Sequence, residues 1–132
     1  MESITVLLVD DEERFVTSNA KLLNKLGFRV LTAMSGDAAI QILESNDVDV
    51  AVVDVKMPGM DGITLLTVMK KRFPLVEVVM LTGNATFESA VSGLKIGASD
   101  YLMKPADLDE LVLKIREANE KRKIQLEKTR PR

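Results

Sequence analysis

An α/β domain built on a single doubly wound, all-parallel sheet follows from three features of the sequence. Short apolar runs of strand length recur five times, several rich in valine and most not alternating with polar residues; strands covered on both faces read this way. The segments between them carry apolar residues at helical spacing, so strand and helix alternate along the chain. Charged residues follow directly on several of these runs, where open parallel sheets place their ligand sites.

The first run, Ile4 to Val9, leads into a helix with Phe15, Leu22, Leu23 and Leu26 on one side and Gly27 closing it. Arg29 to Ala33 is the second strand and Val48 to Val53 the third, followed by a helix marked by Leu65, Leu66 and Met69. Val76 to Leu81 is the fourth strand and Tyr101 to Met103 the fifth. The last helix carries Leu108, Leu111, Val112 and Ile115 on one side, with Asp107 before it as N-cap. Five βα units result, and right-handed crossovers place their helices on both faces of the sheet.

At 132 residues the chain has the length of one domain with a substantial core, and 46% hydrophobic against 29% charged residues is an ordinary globular balance. It contains no histidine and no cysteine. That excludes Ser-His-Asp and Cys-His catalysis, thiol redox chemistry, disulfides and the imidazole or thiolate ligands of zinc and copper sites. Any metal is expected to be a hard cation held by oxygen. The segment Glu120 to Arg132 holds six Lys/Arg and two Asp/Glu, leaving a body with twelve basic and eighteen acidic residues. An acidic body argues against direct nucleic-acid binding. No apolar run approaches the ~18 residues of a membrane span, and Met1-Glu2-Ser3-Ile4 lacks the layout of a signal peptide. No membrane association and a cytoplasmic location are the expectations.

Asp10, Asp11, Glu12 and Glu13 follow the first strand, Asp54 the third, Thr82-Gly83-Asn84 the fourth and Lys104-Pro105 the fifth. One sheet edge therefore presents carboxylates, a hydroxyl and an ammonium. Two like charges 4 Å apart at an effective dielectric near 20 repel by roughly 4 kcal/mol, so Asp10, Asp11 and Asp54 need a cation to converge ionised. Magnesium suits one or two carboxylates with phosphate oxygens. With that charge neutralised, a carboxylate can attack phosphorus. Asp54, at the end of an expected central strand and before the turn sequence Met57-Pro58-Gly59-Met60-Asp61-Gly62, is the candidate nucleophile.

Four segments together resemble the receiver domain of two-component response regulators: Leu8-Val9-Asp10-Asp11-Glu12, Val53 through Gly62, Leu81-Thr82-Gly83, and Gly97 through Pro105. The resemblance runs from Ile4 to about Lys123 and implies a flavodoxin-like fold with strand order 2-1-3-4-5. It divides the chain into a receiver domain, 1–123, and a basic tail or linker remnant, 124–132. It implies that Asp54 accepts a phosphoryl group from a sensor histidine kinase or a histidine phosphotransfer protein. Asp10, Asp11, Asp54 and the backbone carbonyl of Lys56 would hold Mg²⁺ or Mn²⁺. Lys104, with a cis bond to Pro105, and Thr82 would bind the phosphoryl oxygens. Thr82 and Tyr101 would form the switch that remodels the surface of the fourth helix, fifth strand and fifth helix toward an output partner, an output domain or a second copy. On this reading the chain is a self-modifying switch with slow autodephosphorylation, not an enzyme acting on an external substrate.

Lys56 and Asn84 stand two residues after the acceptor and the hydroxyl, where they would tune the lifetime of the phosphorylated form. Lys56 could screen the acyl phosphate and Asn84 could orient an attacking water, so the two imply opposite lifetimes. Met57 and Met60, flanking Pro58-Gly59, are read as an exposed docking surface for the donor, and the basic tail as a solvated continuation of the last helix. A phosphohydrolase with an aspartyl-phosphate intermediate is the rival enzyme reading. It is disfavoured by Lys56, where such enzymes resembling haloacid dehalogenases carry a second acid. A flavin-binding module is disfavoured by Asp10 to Glu13, which would repel the ligand's phosphate.

Overall fold

The computed structural model describes residues 3–83 and 87–129, with side chains for all of these except residues 87–90. Within them, strands and helices alternate as β1 (Thr5–Val9), α1 (Glu13–Lys25), β2 (Arg29–Ala33), α2 (Gly36–Ser45), β3 (Val50–Asp54), α3 (Gly62–Arg72), β4 (Glu77–Thr82), α4 (Phe87–Ile96), β5 (Asp100–Met103) and α5 (Leu108–Thr129). All pairings are parallel, and the sheet order is β2-β1-β3-β4-β5, as expected.

Successive side chains of a strand point to opposite faces, and each face here has its own apolar layer. Val6, Leu8, Val50, Val52, Val79 and Leu81 meet Leu23 of α1 and Leu111, Ile115 and Ala118 of α5 on one side. Leu7, Val9, Ala51, Val53, Val78 and Met80 meet Ala39 and Leu43 of α2 and Leu65, Leu66 and Met69 of α3 on the other. This double burial explains the unbroken apolar runs of β1, β3 and β4, each buried throughout. The outer strands β2 and β5 are only partly covered.

Two expectations about apolar residues change. Leu23 is fully buried, but Leu22 and Leu26 are about half exposed. Helix α1 buries a narrow stripe headed by Val16 and Leu23. It ends at Lys25 with Leu26 as the cap and Gly27 turning the chain at φ 97°. Met57 is not an exposed docking residue: it is buried in the layer under α3, and Met60 packs partly buried against the same layer. The loop between β3 and α3 is folded inward, and Met60 lies over Gly36 at the start of α2.

Candidate functional site

The sheet order reverses between β1 and β3, so the site is built where these neighbouring strands end. Val9 lies in register with Val53, which puts Asp10 and Asp54 side by side at the carboxyl edge. Both are buried, whereas Asp11 is exposed at the rim. The backbone amide of Glu12 donates to Asp10 Oδ1 at 2.9 Å, fixing that carboxylate at the entrance to α1. Asp61 caps α3 by accepting from the Thr64 amide at 2.8 Å, and the Gly62 amide donates to the Val55 carbonyl at 2.8 Å. Gly62 is required here because a Cβ would lie 2.2 Å from the Asp54 carbonyl oxygen. The helix thereby presses directly on the end of β3.

From the far side, β5 pairs with β4 so that Thr82 is opposite Met103, and the Lys104 amide donates to the Thr82 carbonyl at 2.8 Å. This delivers Lys104, through a cis bond to Pro105, into the acidic edge. Its Nζ stands 2.6 Å from Asp10 Oδ2, 2.8 Å from Glu12 Oε1 and 3.8 Å from Asp54 Oδ2. It also lies 4.7 Å from the centre of the Phe15 ring, within cation–π range. Burial lowers the Lys104 pKa, but Asp10 and Glu12 outweigh it and raise the value overall, so the ammonium is firmly charged.

Asp54 behaves in the opposite way. Burial and then the charge of Asp10 push its pKa up to about 6, against the pull of Lys104 and of the Lys56 backbone amide, which donates to its carboxylate. One ammonium does not balance the converging acids. Carboxylate oxygens of Asp10, Asp11 and Asp54 all lie within 4.8 Å of one another. Asp10 Oδ2, although close to Lys104, is buried with no directed hydrogen bond. An all-oxygen donor set with surplus negative charge fits a hard divalent cation.

Thr82 is buried at the end of β4 beside this cluster. Tyr101 is half-buried, its amide held by Asp100 Oδ1 at 2.8 Å. Its ring crosses Gly93 of α4, where a Cβ would come within 3.0 Å of Cε2. The side chain of Lys56 points to solvent. Asn84 lies outside the described residues.

A doubly wound 2-1-3-4-5 sheet with this acidic edge defines a flavodoxin-like receiver of the CheY type. The chain matches the response regulator receiver domain family over residues 6–116, and it belongs to that family. It is similar to an NtrX-like response regulator of Rickettsia bellii, 39% identical over 129 residues that cover 96% of this chain and 27% of the relative. It is also similar to the photosynthetic apparatus regulatory protein RegA of Cereibacter sphaeroides, 39% identical over 107 residues, 81% of this chain and 58% of RegA. The crystal structure of a CheY-like receiver domain protein from Methanospirillum hungatei superposes with a TM-score of 0.89 at 30% identity, covering 94% of this chain and 99% of that one. The chain thus spans about a quarter of the NtrX-like relative and just over half of RegA.

Sequence reading did not assign Glu12 and Phe15 a role around Lys104. Glu12 was visible in the acidic run, but the lysine it contacts is 92 residues away. Phe15 read as an ordinary core residue of an amphipathic helix. Gly62 was visible only as part of the turn motif, since close backbone approach leaves no periodic signal.

Proposed function

We propose that this domain is the phosphoacceptor of a two-component system, with Asp54 taking a phosphoryl group from a phosphohistidine on a sensor kinase or phosphotransfer protein. The observation that carries this reading is the convergence of Asp54, Asp10, Asp11 and Lys104 at the strand ends, with the Lys104 ammonium 3.8 Å from Asp54 Oδ2. An Asp54 oxygen forms the new bond to phosphorus as the bond from phosphorus to the histidine nitrogen breaks, and the donor imidazole leaves with that electron pair and takes up a proton. Asp10, Asp11, Asp54 and the Lys56 carbonyl are the residues that would hold Mg²⁺ or Mn²⁺. When bound, such an ion neutralises charge on the phosphoryl oxygens.

Lys104 pairs with one phosphoryl oxygen. Thr82 turns its hydroxyl toward another, which vacates space that the Tyr101 ring enters. Lys56 and Asn84 tune how long the acyl phosphate survives. The output surface is the face of α4, β5 and α5, where Leu94, Met103 and Leu113 are half or more exposed. A partner, an output domain or a second copy of the chain docks there, and the receiver itself contacts no nucleic acid. No helix among the described residues is long and apolar enough to cross a membrane, which is compatible with action in the cytoplasm. The domain occupies residues 1–123, and 124–132 form a basic extension.

Incubation with Mg²⁺ and a small acyl-phosphate donor, followed by intact-mass measurement, tests the reading. One added phosphoryl group in the wild type and none in Asp54→Asn is expected. No addition to the wild type, or equal addition to both, sinks it.

A further inference from the structure

The Lys104 ammonium and a divalent cation would draw on the same buried carboxylate, that of Asp10. Asp10 Oδ1 is committed to the Glu12 backbone amide at 2.9 Å. The other oxygen, Oδ2, is buried and faces Lys104 Nζ at 2.6 Å. Two positive charges drawn close to one buried carboxylate repel each other. The lysine therefore needs another partner within reach if it is to stay in the site and meet the phosphoryl group.

Glu12 has the properties of that partner. It stands at the N-cap of α1, yet its side chain makes no capping hydrogen bond. The carboxylate is instead extended to Lys104 at 2.8 Å although 65% of the side chain is exposed. It lies outside the trio of aspartates whose oxygens could share a cation, so it can hold the lysine without being a ligand. The Phe15 ring, 4.7 Å from Nζ, lies against the same position.

We propose that Glu12 is a positioning residue that gives Lys104 a second seat, drawing the ammonium off Asp10 so that lysine and divalent cation occupy the site together. The proposal rests on the functional reading above and adds a residue to it. Without Glu12, Lys104 falls back on Asp10 and competes with the ion.

A double-mutant cycle in Mn²⁺ affinity, read by electron paramagnetic resonance, tests this on the full chain with wild type, Glu12→Gln, Lys104→Met and the double variant. Glu12→Gln is expected to weaken Mn²⁺ binding about 5-fold when Lys104 is present and less than about 2-fold when it is absent, a coupling in the usual range for groups in direct contact. Lys104→Met alone is expected to tighten binding. An equal or larger effect of Glu12→Gln in the Lys104→Met background overturns the proposal, because Glu12 would then act on the ion only through its charge. Circular dichroism checks folding, and Lys104→Gln replaces Lys104→Met in the cycle if the latter is unfolded. A wild type that binds Mn²⁺ and takes up phosphoryl but shows no coupling defeats this proposal alone; a wild type that does neither defeats the functional reading as well.

Discussion

The two ends of the sheet carry acids, some of them buried, in opposite states of balance. At the opening edge, Asp49 accepts from the Thr5 amide at 2.8 Å and pairs with Arg122 at 3.2 Å. Glu77 accepts a hydrogen bond from the Ser99 hydroxyl, with Lys70 at 4.0 Å. Each of these two acids has its own cation. At the carboxyl edge, Asp10, Glu12 and Asp54 share the single ammonium of Lys104, and Asp11 adds a further charge. Matched pairs join elements that are distant in sequence, whereas surplus charge stays available to a ligand. Burial of carboxylates is common to both ends, so the missing counter-charge is what separates a structural cluster from a candidate site.

Asp54→Asn breaks this contrast most sharply. Phosphoryl uptake is expected to vanish, and the metal-free protein is expected to become more stable near neutral pH. The fold raises the Asp54 pKa to about 6, so folding favours the protonated form. That contribution is complete below the unfolded value and is lost as pH rises through the folded one. Urea midpoints of the metal-free wild type should therefore fall between about pH 4 and about pH 7 by the equivalent of 1–3 kcal/mol, as an order of magnitude. The Asp54→Asn profile should be flatter, and added Mg²⁺ should restore the wild type.

Gly62→Ala tests whether backbone packing holds Asp54 in place. The new Cβ would meet the Asp54 carbonyl at 2.2 Å, which predicts about 1–3 kcal/mol of destabilisation by overpacking together with slower phosphoryl uptake. Glu77→Ala probes the balanced end. Losing the partner of Ser99 and Lys70 should cost about 1–3 kcal/mol in urea titration, with the rate of phosphoryl uptake from a small donor unchanged. A matching loss of uptake would show that the two edges are coupled.

The smallest effect is expected at Asp100, which opens β5 and pairs with Lys114 at 2.7 Å. Burial raises its pKa, but the Lys114 and Tyr101 contacts prevail and lower it. Its stabilisation is present above the unfolded value and disappears as pH falls through the folded one. Lys114→Met should cost less than about 1 kcal/mol, since both side chains remain partly in solvent. The difference from wild type should close in acid.

The five strands, the helices between them and the parallel order were legible because double burial writes valine-rich runs into β1, β3 and β4. The site aspartates were legible because each follows such a run directly. Leu22, Leu26 and Met57 were misplaced because periodicity identifies a helix face, or a loop, without saying how wide a stripe a neighbour covers. The absence of histidine and cysteine, together with the acids at the strand ends, determined from sequence alone that any chemistry must run on oxygen and lysine. Which acids surround Lys104 was decided only by the tertiary structure. A hydrogen bond across 92 residues depends on strand register and on the turn that carries Lys104 into the site, and neither leaves a local pattern in the chain.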